Sequence, residues 1–199
     1  MYSEGLIAPQ FTLALSQSGG YLALGATPLP SSITHDDKWT AVPMPASSAG
    51  PPLAYGFYTV EVQSLRLFTR GDANVPVSYR APMIVDSGTS AIILPLRLAA
   101  AINRIWNPQP SPFGGAMPCD AGAFRRVPRL GFTLANATFW ISAQTLITRY
   151  ADGTCGSAVL GTENSELLVL GTPFLMNVVA VFNVRDQVLR LSSTNPEQL

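Results

Sequence analysis

The sequence predicts a mainly β fold with one or two short helices. Apolar runs are short and often alternate with polar residues, which is typical of half-buried strands. Turn-forming residues are frequent, with 17 prolines and 16 glycines in 199 residues, and a single segment has a convincing helical period. An apolar fraction of 47% supports a proper core, so we expect one sizeable domain, or one domain and part of another.

The first half of the chain contains several strand-like segments. Residues 10–26 alternate between apolar and polar on both sides of a Ser-Gly-Gly turn at 18–20, which predicts a β-hairpin. A further strand is possible at 39–42, within a loop-rich stretch. Alternation resumes at Phe57 and predicts a half-buried strand over 57–65, whereas residues 81–88, APMIVDSG, predict a fully buried strand that ends at a turn.

The second half contains the convincing helix, PLRLAAAINRIW, at residues 95–106. Pro95 suits the first helical position, and Leu98, Ile102 and Ile105 share one face. The remaining predicted elements are strands at 129–134, 137–142 and 167–171, a short helical turn at 172–177, and a closing hairpin at 178–191 that turns at residues 185–187.

Composition excludes several classes of function. Twelve basic residues balance twelve acidic ones, so there is no electrostatic case for nucleic acid or an anionic membrane surface. No run of 18 apolar residues predicts a membrane span. One histidine (His35, in a polar loop) and two cysteines do not supply a zinc site or a Ser-His-Asp triad. We therefore expect neither a metal nor a cofactor.

Two features bear on the compartment. Cys119 and Cys155 lie 36 positions apart and could be free thiols or one bridge; a bridge implies an oxidising environment. Asn136 begins an Asn-Ala-Thr pattern, an acceptor for N-glycosylation that agrees with secretion. The first fifteen residues include Glu4 and lack the basic start and apolar stretch of a signal peptide.

The most informative stretch is MIVDSGTSAIILP, residues 83–95, where one carboxylate lies between apolar segments. Gly88 permits a sharp turn and close approach of another chain. Ser87, Thr89 and Ser90 offer hydroxyls and amides that can hydrogen-bond Asp86 and fix its orientation. The structural alternative is an Asx-type turn that caps the helix after it.

This stretch resembles the second active-site loop of the pepsin-like aspartic proteases. Other parts of the family pattern occur in the family's order over nearly the whole chain: the hairpin at 5–26, the strand pair at 56–67, the disulfide-bearing segment, and the closing signature at 167–192. Asn183 replaces the usual Asp of the closing signature. The resemblance implies the second lobe of this fold, a β-barrel, together with strands of the sheet that joins the two lobes.

Site residues follow from the resemblance. Asp86 matches the catalytic aspartate of the second lobe. Gly88 and Thr89 match positions that contact substrate, and Phe57 falls near a position that lines the primed side of the cleft. The residues expected to support the active-site loop are Ser87, whose hydroxyl would brace two loops against each other, Ser90, and the apolar-apolar-Gly strand that includes Leu170 and Gly171. The resemblance also implies a disulfide between Cys119 and Cys155.

The implied organisation has three parts. Residues 1–45 would form the inter-lobe hairpin and linker, residues 46–177 the catalytic lobe, and residues 178–199 the closing hairpin that returns to the inter-lobe sheet. Expected locations are extracellular or vacuolar and lysosomal, with the signal peptide, propeptide and first lobe all upstream of Met1.

The implied activity is endopeptidase hydrolysis of peptides or proteins at acidic pH. It needs two carboxylates sharing one proton, and this sequence has one such loop. We therefore expect the chain to be the second lobe of a longer protein and inactive alone, with that protein's first lobe as its partner. The alternatives are a homodimer that pairs two Asp86 loops, a non-catalytic pepsin-like binding or inhibitor domain, and an unrelated β-rich interaction module.

Overall fold

A computed structural model describes residues 4–25, 38–44, 57–68, 75–106, 111, 113–117, 119 and 129–194. These residues form seventeen strands and two helices, which confirms the mainly β fold. His35 and four aspartates (Asp36, Asp37, Asp72 and Asp120) lie outside the described residues. In chain order the elements are β1 (Gln10–Ser16), β2 (Gly19–Leu24), β3 (Thr40–Pro43), β4 (Thr59–Val62), β5 (Ser64–Phe68), β6 (Val75–Val77), β7 (Ala81–Val85), β8 (Ile92–Pro95), α1 (Leu96–Trp106), β9 (Ala116–Met117), β10 (Arg129–Leu134), β11 (Ala137–Ile141), β12 (Ile147–Arg149), β13 (Cys155–Ser157), β14 (Val159–Thr162), β15 (Val169–Leu170), α2 (Thr172–Leu175), β16 (Val178–Asn183) and β17 (Val188–Ser193).

One antiparallel sheet, in the order β2-β1-β16-β17-β3, joins the two ends of the described chain. Both predicted hairpins, β1–β2 and β16–β17, are therefore confirmed. Their shared face carries an aromatic cluster in which Phe11 stacks on Phe182 with ring centroids 4.6 Å apart. Tyr58 packs against both rings, at 5.6 Å from Phe11 and 4.9 Å from Phe182. This cluster connects the sheet to the segment that precedes β4.

A second five-stranded sheet, in the order β14-β8-β15-β7-β4, positions the candidate site. The short strand β15 lies between β7 and β8, parallel to β7 and antiparallel to β8. Its two residues, Val169 and Leu170, are buried. The chain therefore leaves the sheet at the end of β7, on one side of β15, and re-enters it at β8, on the other side.

Two smaller sheets complete the described part of the fold, in the orders β11-β10-β5-β6 and β12-β13-β9. Cys155 begins β13 and is bonded to Cys119, with Cα atoms 5.3 Å apart. The predicted disulfide is thus confirmed. Helix α2 adds Phe174 to the core, where its ring makes edge contacts with Phe132 and Phe139.

Helix α1 differs from the prediction in its start and in its buried face. Pro95 ends β8, and the helix begins one residue later. Ile105 is 42% exposed, whereas Ala99, Ile102 and Asn103 are fully buried. The physical reason is that α1 follows β8 directly and packs beside β14. The Asn103 amide donates to the Val159 carbonyl oxygen of β14 (3.1 Å), so a polar residue replaces Ile105 on the buried face.

The strand predictions also need correction. The segment from Phe57 forms two strands in different sheets, separated at Gln63, whose N–H donates to the Thr133 carbonyl oxygen (2.8 Å). Only the second half of β7 is fully buried, since Pro82 is exposed. The strand predicted at 167–171 is reduced to β15, and Leu167 is 44% exposed. Six short strands were not predicted: β6, β8, β9, β12, β13 and β14.

Candidate active site

Asp86 lies immediately after the last residue of β7, at the point where that strand leaves the sheet. Its N–H donates to the carbonyl oxygen of Leu170 (3.2 Å), and Ile84 N–H donates to that of Leu168 (2.8 Å). Backbone bonds to the buried strand β15 therefore fix the residue on one side. The Asp86 side chain is half-buried and borders the turn formed by residues 87–90.

Both oxygens of the Asp86 carboxylate accept hydrogen bonds from its own turn. Gly88 N–H donates to Oδ1 (2.9 Å), and the Thr89 hydroxyl donates to Oδ2 (2.6 Å). Bonds to both oxygens leave the carboxylate one orientation. Among the described residues, the bonds to this carboxylate come from Gly88 and Thr89, whereas Ser87 and Ser90 are exposed, so their support of the loop stays a prediction.

The turn is an Asx turn, because the Asp86 side chain accepts a hydrogen bond from the amide two residues later. The structural alternative predicted that this turn caps a helix. Strand β8 follows the turn, and α1 begins only at Leu96. The helix-cap interpretation is therefore wrong, and the turn orients a carboxylate between two strands of one sheet.

Gly88 allows the carboxylate to lie close to the backbone of the turn. A Cβ atom at residue 88 would lie 3.2 Å from Asp86 Oδ1 and 3.5 Å from Oδ2. Any larger side chain would crowd both carboxylate oxygens and the space above them. Glycine at this position keeps the carboxylate accessible while its amide holds one oxygen.

Residues that follow β15 hold the turn from the other side. A Cβ on Gly171 would lie 2.2 Å from the Ala91 carbonyl oxygen and 2.3 Å from that of Thr89, so only glycine permits this contact. The same Thr89 oxygen accepts two hydrogen bonds from Thr172, one from its N–H (2.8 Å) and one from its hydroxyl (2.7 Å). Sequence reasoning included Gly171 but missed Thr172, for which the Gly-Thr-Pro start of α2 is the available signal.

Phe57 lies beside the turn through the pairing of β4 with β7. The register pairs Thr59 with Ile84, and Val85 N–H donates to the Tyr58 carbonyl oxygen (2.8 Å). In the same register Tyr58 lies opposite Val85, and the next pair places Phe57 opposite Asp86. The Phe57 side chain is 44% exposed, so an apolar surface borders the carboxylate.

A groove begins at Ser90 and leads away from the turn. Its cavity of about 380 Å³ is bordered by the tip of the β1–β2 hairpin, by β12 and by the start of α2. The lining residues are Gln17, Ser90, Gln144, Thr145, Ile147, Thr148, Thr172, Pro173 and Met176. Ser90, predicted to support the loop, is therefore one of the residues that line this groove.

The other described aspartates serve their own turns. Asp152 Oδ1 accepts hydrogen bonds from the N–H (2.9 Å) and hydroxyl (2.6 Å) of Thr154. Both bonds lower the pKa of Asp152 below its ordinary value, and the bond from the hydroxyl has the larger effect.

Asp186 accepts a hydrogen bond from the Asn183 amide (2.8 Å) and donates its own N–H to the Asn183 oxygen (3.0 Å). An amide can accept and donate at once, which explains how Asn183 fits the turn of the closing hairpin.

Three further observations concern a glycosylation pattern, metal ligands and membrane spans. Asn136 is exposed in the two-residue turn between β10 and β11, and its glycosylation stays a prediction. In the described part of the chain, no three histidine, cysteine or acidic side chains cluster as a metal site would require. No helix among the described residues is long and apolar enough to cross a membrane.

Comparison with known proteins identifies a family and several relatives of this chain. The family model described as eukaryotic aspartyl protease matches residues 1–194. A probable aspartic-type endopeptidase of Aspergillus fumigatus is 29% identical over 98% of this chain and 46% of its own length. Rhizopuspepsin-2 of Rhizopus niveus is 28% identical over 92% of this chain and 44% of its own length.

A third relative, a probable vacuolar protease A of Arthroderma benhamiae, is 31% identical over 51% of this chain and 26% of its own length. The chain thus spans about half the length, or less, of the relatives it matches. The match of the family model to residues 1–194, nearly the whole chain, shows that the chain belongs to the eukaryotic aspartyl protease family.

Proposed function

We propose that this chain is the second lobe of a pepsin-like aspartic endopeptidase and that Asp86 is one of its two catalytic carboxylates. The observation that carries the proposal is the fixed orientation of Asp86, with Oδ1 bonded to Gly88 N–H and Oδ2 to the Thr89 hydroxyl. A turn that only ended a strand would not need both oxygens held while glycine keeps the space above them open.

In this mechanism two carboxylates share one proton because neighbouring like charges separate their pKa values. One carboxylate acts as general base toward a water molecule, and the other protonates the leaving amine. Gly88 and Thr89 would contact the substrate backbone, and Phe57 would line the cleft beside Asp86. Ser87, Ser90, Leu170 and Gly171 would support the loop. The family cleft favours bulky apolar side chains around the scissile bond.

The second carboxylate would come from a first lobe outside this chain. The five-stranded sheet that joins residues 10–24 to 178–193 would be shared with that lobe. Its outer described strand, β2, exposes Leu22 by 59% and Leu24 by 51%, and these alternate residues form an apolar face that the first lobe could cover. The division into an inter-lobe hairpin and linker (residues 1–45), a catalytic lobe (46–177) and a closing hairpin (178–199) is part of this proposal.

Two alternatives give different predictions. A homodimer would bring two Asp86 loops together, so activity would rise with the square of protein concentration. A non-catalytic binding or inhibitor domain would show no activity in any pairing. The intact turn around Asp86 argues against the second alternative, since binding alone does not need an oriented carboxylate.

The proposed location is outside the cell or in a vacuole or lysosome. The disulfide between Cys119 and Cys155 supports this location, because such bonds persist in oxidising compartments. A protein that follows this route would carry its signal peptide and propeptide upstream of the first lobe.

The sequence of the transcript upstream of Met1 tests the lobe proposal. We expect an open reading frame that encodes a second Asp-Thr-Gly or Asp-Ser-Gly turn between apolar segments. An in-frame stop codon shortly before Met1, with a good start context, would contradict the proposal.

Proteolysis by the chain itself separates the alternatives. At about pH 3 to 5, where a carboxylate dyad holds one proton, we expect no detectable cleavage of a denatured protein substrate. Pepstatin-sensitive cleavage that rises with the square of concentration would instead support the homodimer.

A further inference from the structure

Thr172 makes a contact that neither its own helix nor the core requires. It is the first residue of α2, one position after the N-cap position from which a side chain would cap the helix. The helix has no side-chain cap, however, and Gly171 is its N-cap residue. The Thr172 hydroxyl instead donates across the site to the Thr89 carbonyl oxygen (2.7 Å), which is also bonded to Thr172 N–H (2.8 Å).

These bonds end one residue from the carboxylate. Thr89 receives both of them through its carbonyl oxygen and donates its own hydroxyl to Asp86 Oδ2 (2.6 Å). Gly171 lies so close to the Thr89 and Ala91 carbonyl oxygens that no side chain fits at its position. Thr172 thus holds the backbone of the residue whose hydroxyl is bonded to the carboxylate.

Helix α2 gives Thr172 a rigid base. Pro173, Phe174 and Leu175 are buried, and Phe174 packs against two aromatic rings of the core. Asn177 fastens the end of the helix: its amide donates to the Pro173 carbonyl oxygen (2.7 Å) and the Thr145 hydroxyl (2.9 Å), and its oxygen accepts Ser142 N–H (3.1 Å). A donor mounted on such an element can hold a turn without moving with it.

We propose that Thr172 is a positioning residue for Asp86 and acts through the Thr89 backbone. The inference rests on the proposed catalytic role of Asp86, but its structural part concerns the turn alone. Removing the hydroxyl would loosen Thr89, and with it the Asp86 carboxylate and the Gly88 amide that is bonded to its other oxygen. The Gly88 amide thus reports on the position of the carboxylate whether or not the chain hydrolyses peptides.

Amide hydrogen exchange tests directly whether Thr172 positions the turn. The variant Thr172→Val removes the hydroxyl donor with little change of shape, and the variant Thr172→Ser keeps the hydroxyl. We expect Gly88 to exchange about fivefold faster in Thr172→Val, the effect of losing one ordinary hydrogen bond. Thr172→Ser should exchange like the wild type. Asp86→Ala, which removes the acceptor for Gly88, gives the upper limit of the change.

Two controls separate positioning from general stability. The amides of Ile84 and Val85, bonded to Leu168 and Tyr58, report on the surrounding sheet and should keep their exchange rates. Thr194→Val removes a similar hydroxyl-to-carbonyl bond, to Met176 at the other end of α2 (3.3 Å), and should leave Gly88 unchanged.

Equal Gly88 exchange in Thr172→Val and wild type would overturn the proposal. So would a proportional increase at Gly88, Ile84 and Val85, because Thr172 would then stabilise the whole sheet without positioning the turn. Neither result would bear on whether Asp86 is catalytic, which the proteolysis experiments decide.

Discussion

Gly171 and Thr89 lie so close that a methyl group on Gly171 would come within 2.3 Å of the Thr89 carbonyl oxygen. The two residues belong to segments more than eighty positions apart, and their contact holds the turn of Asp86 against β15. No rearrangement of a flexible side chain can relieve this clash, because the atoms on the Thr89 side are backbone.

Replacing Gly171 with alanine should therefore destabilise the fold strongly. We expect a loss of about 3 kcal/mol or more in the free energy of unfolding, at the upper end for overpacked sites. Unfolding in urea measures this loss of stability. Gly153→Ala is the matched control: its backbone has φ of +82° but no atom lies within 4 Å of a Cβ, so only about 1 kcal/mol of backbone strain is expected. Equal losses for the two variants would contradict the described contact.

The aromatic cluster gives a second stability prediction. Phe182 is 2% exposed and contacts both Phe11 and Tyr58, so Phe182→Ala should lower the free energy of unfolding by about 3 to 5 kcal/mol. Phe113→Ala, at a side chain that is 71% exposed, should change it by less than about 0.5 kcal/mol. A small effect at Phe182 would mean that the sheet does not pack on the rest of the chain as described.

The disulfide predicts a redox dependence of stability. Closing a loop of 36 residues should stabilise the fold by about 4 kcal/mol in the chain-entropy account. Chemical unfolding with and without a reducing agent measures this difference. The double variant Cys119→Ala, Cys155→Ala should be less stable and indifferent to the reductant. An unchanged unfolding midpoint for the reduced wild type would exclude a stabilising bridge.

The turn before β13 predicts a pH effect. The pKa of Asp152 is lowered by hydrogen bonds from Thr154, so its folded value lies below its unfolded value. The turn therefore gains stability above the unfolded pKa and loses it as the pH falls through the folded pKa. Thr154→Val should raise the pKa of Asp152 toward the ordinary value, and Thr154→Ser should preserve the lower one. Carbon NMR titration of the carboxyl group checks this; identical titrations in all three proteins would refute it.

Several parts of the fold could be predicted because their signals are local. The hairpins at β1–β2 and β16–β17 combine alternating apolar residues with turn residues. The Asp-Ser-Gly-Thr turn was recognisable because its residue types and apolar flanks coincide. Gly171 was predicted as a supporting residue only through the family pattern, since its reason is a contact with Ala91 and Thr89 across the sheet.

Other features could not be predicted because distant contacts decide them. Gln63 divides a continuous alternating segment into β4 and β5 through its bond to Thr133 in another strand. Ile105 is exposed because α1 directs Asn103 toward β14 instead. The Gly-Thr-Pro sequence around Thr172 indicates the start of a helix, but the two bonds from Thr172 to Thr89 depend on the position of β15 between β7 and β8.

The most direct test of the central claim is proteolysis by a complete two-lobe protein. The chain can be refolded with the part of rhizopuspepsin-2 that it does not match, and cleavage followed at about pH 3 to 5. We predict cleavage that is sensitive to pepstatin. The substitution Asp86→Asn should slow this cleavage by about a thousandfold or more. The control variant Asp186→Asn, which changes a remote turn, should be as active as the wild type. Cleavage at undiminished rate by the Asp86→Asn protein would contradict the account.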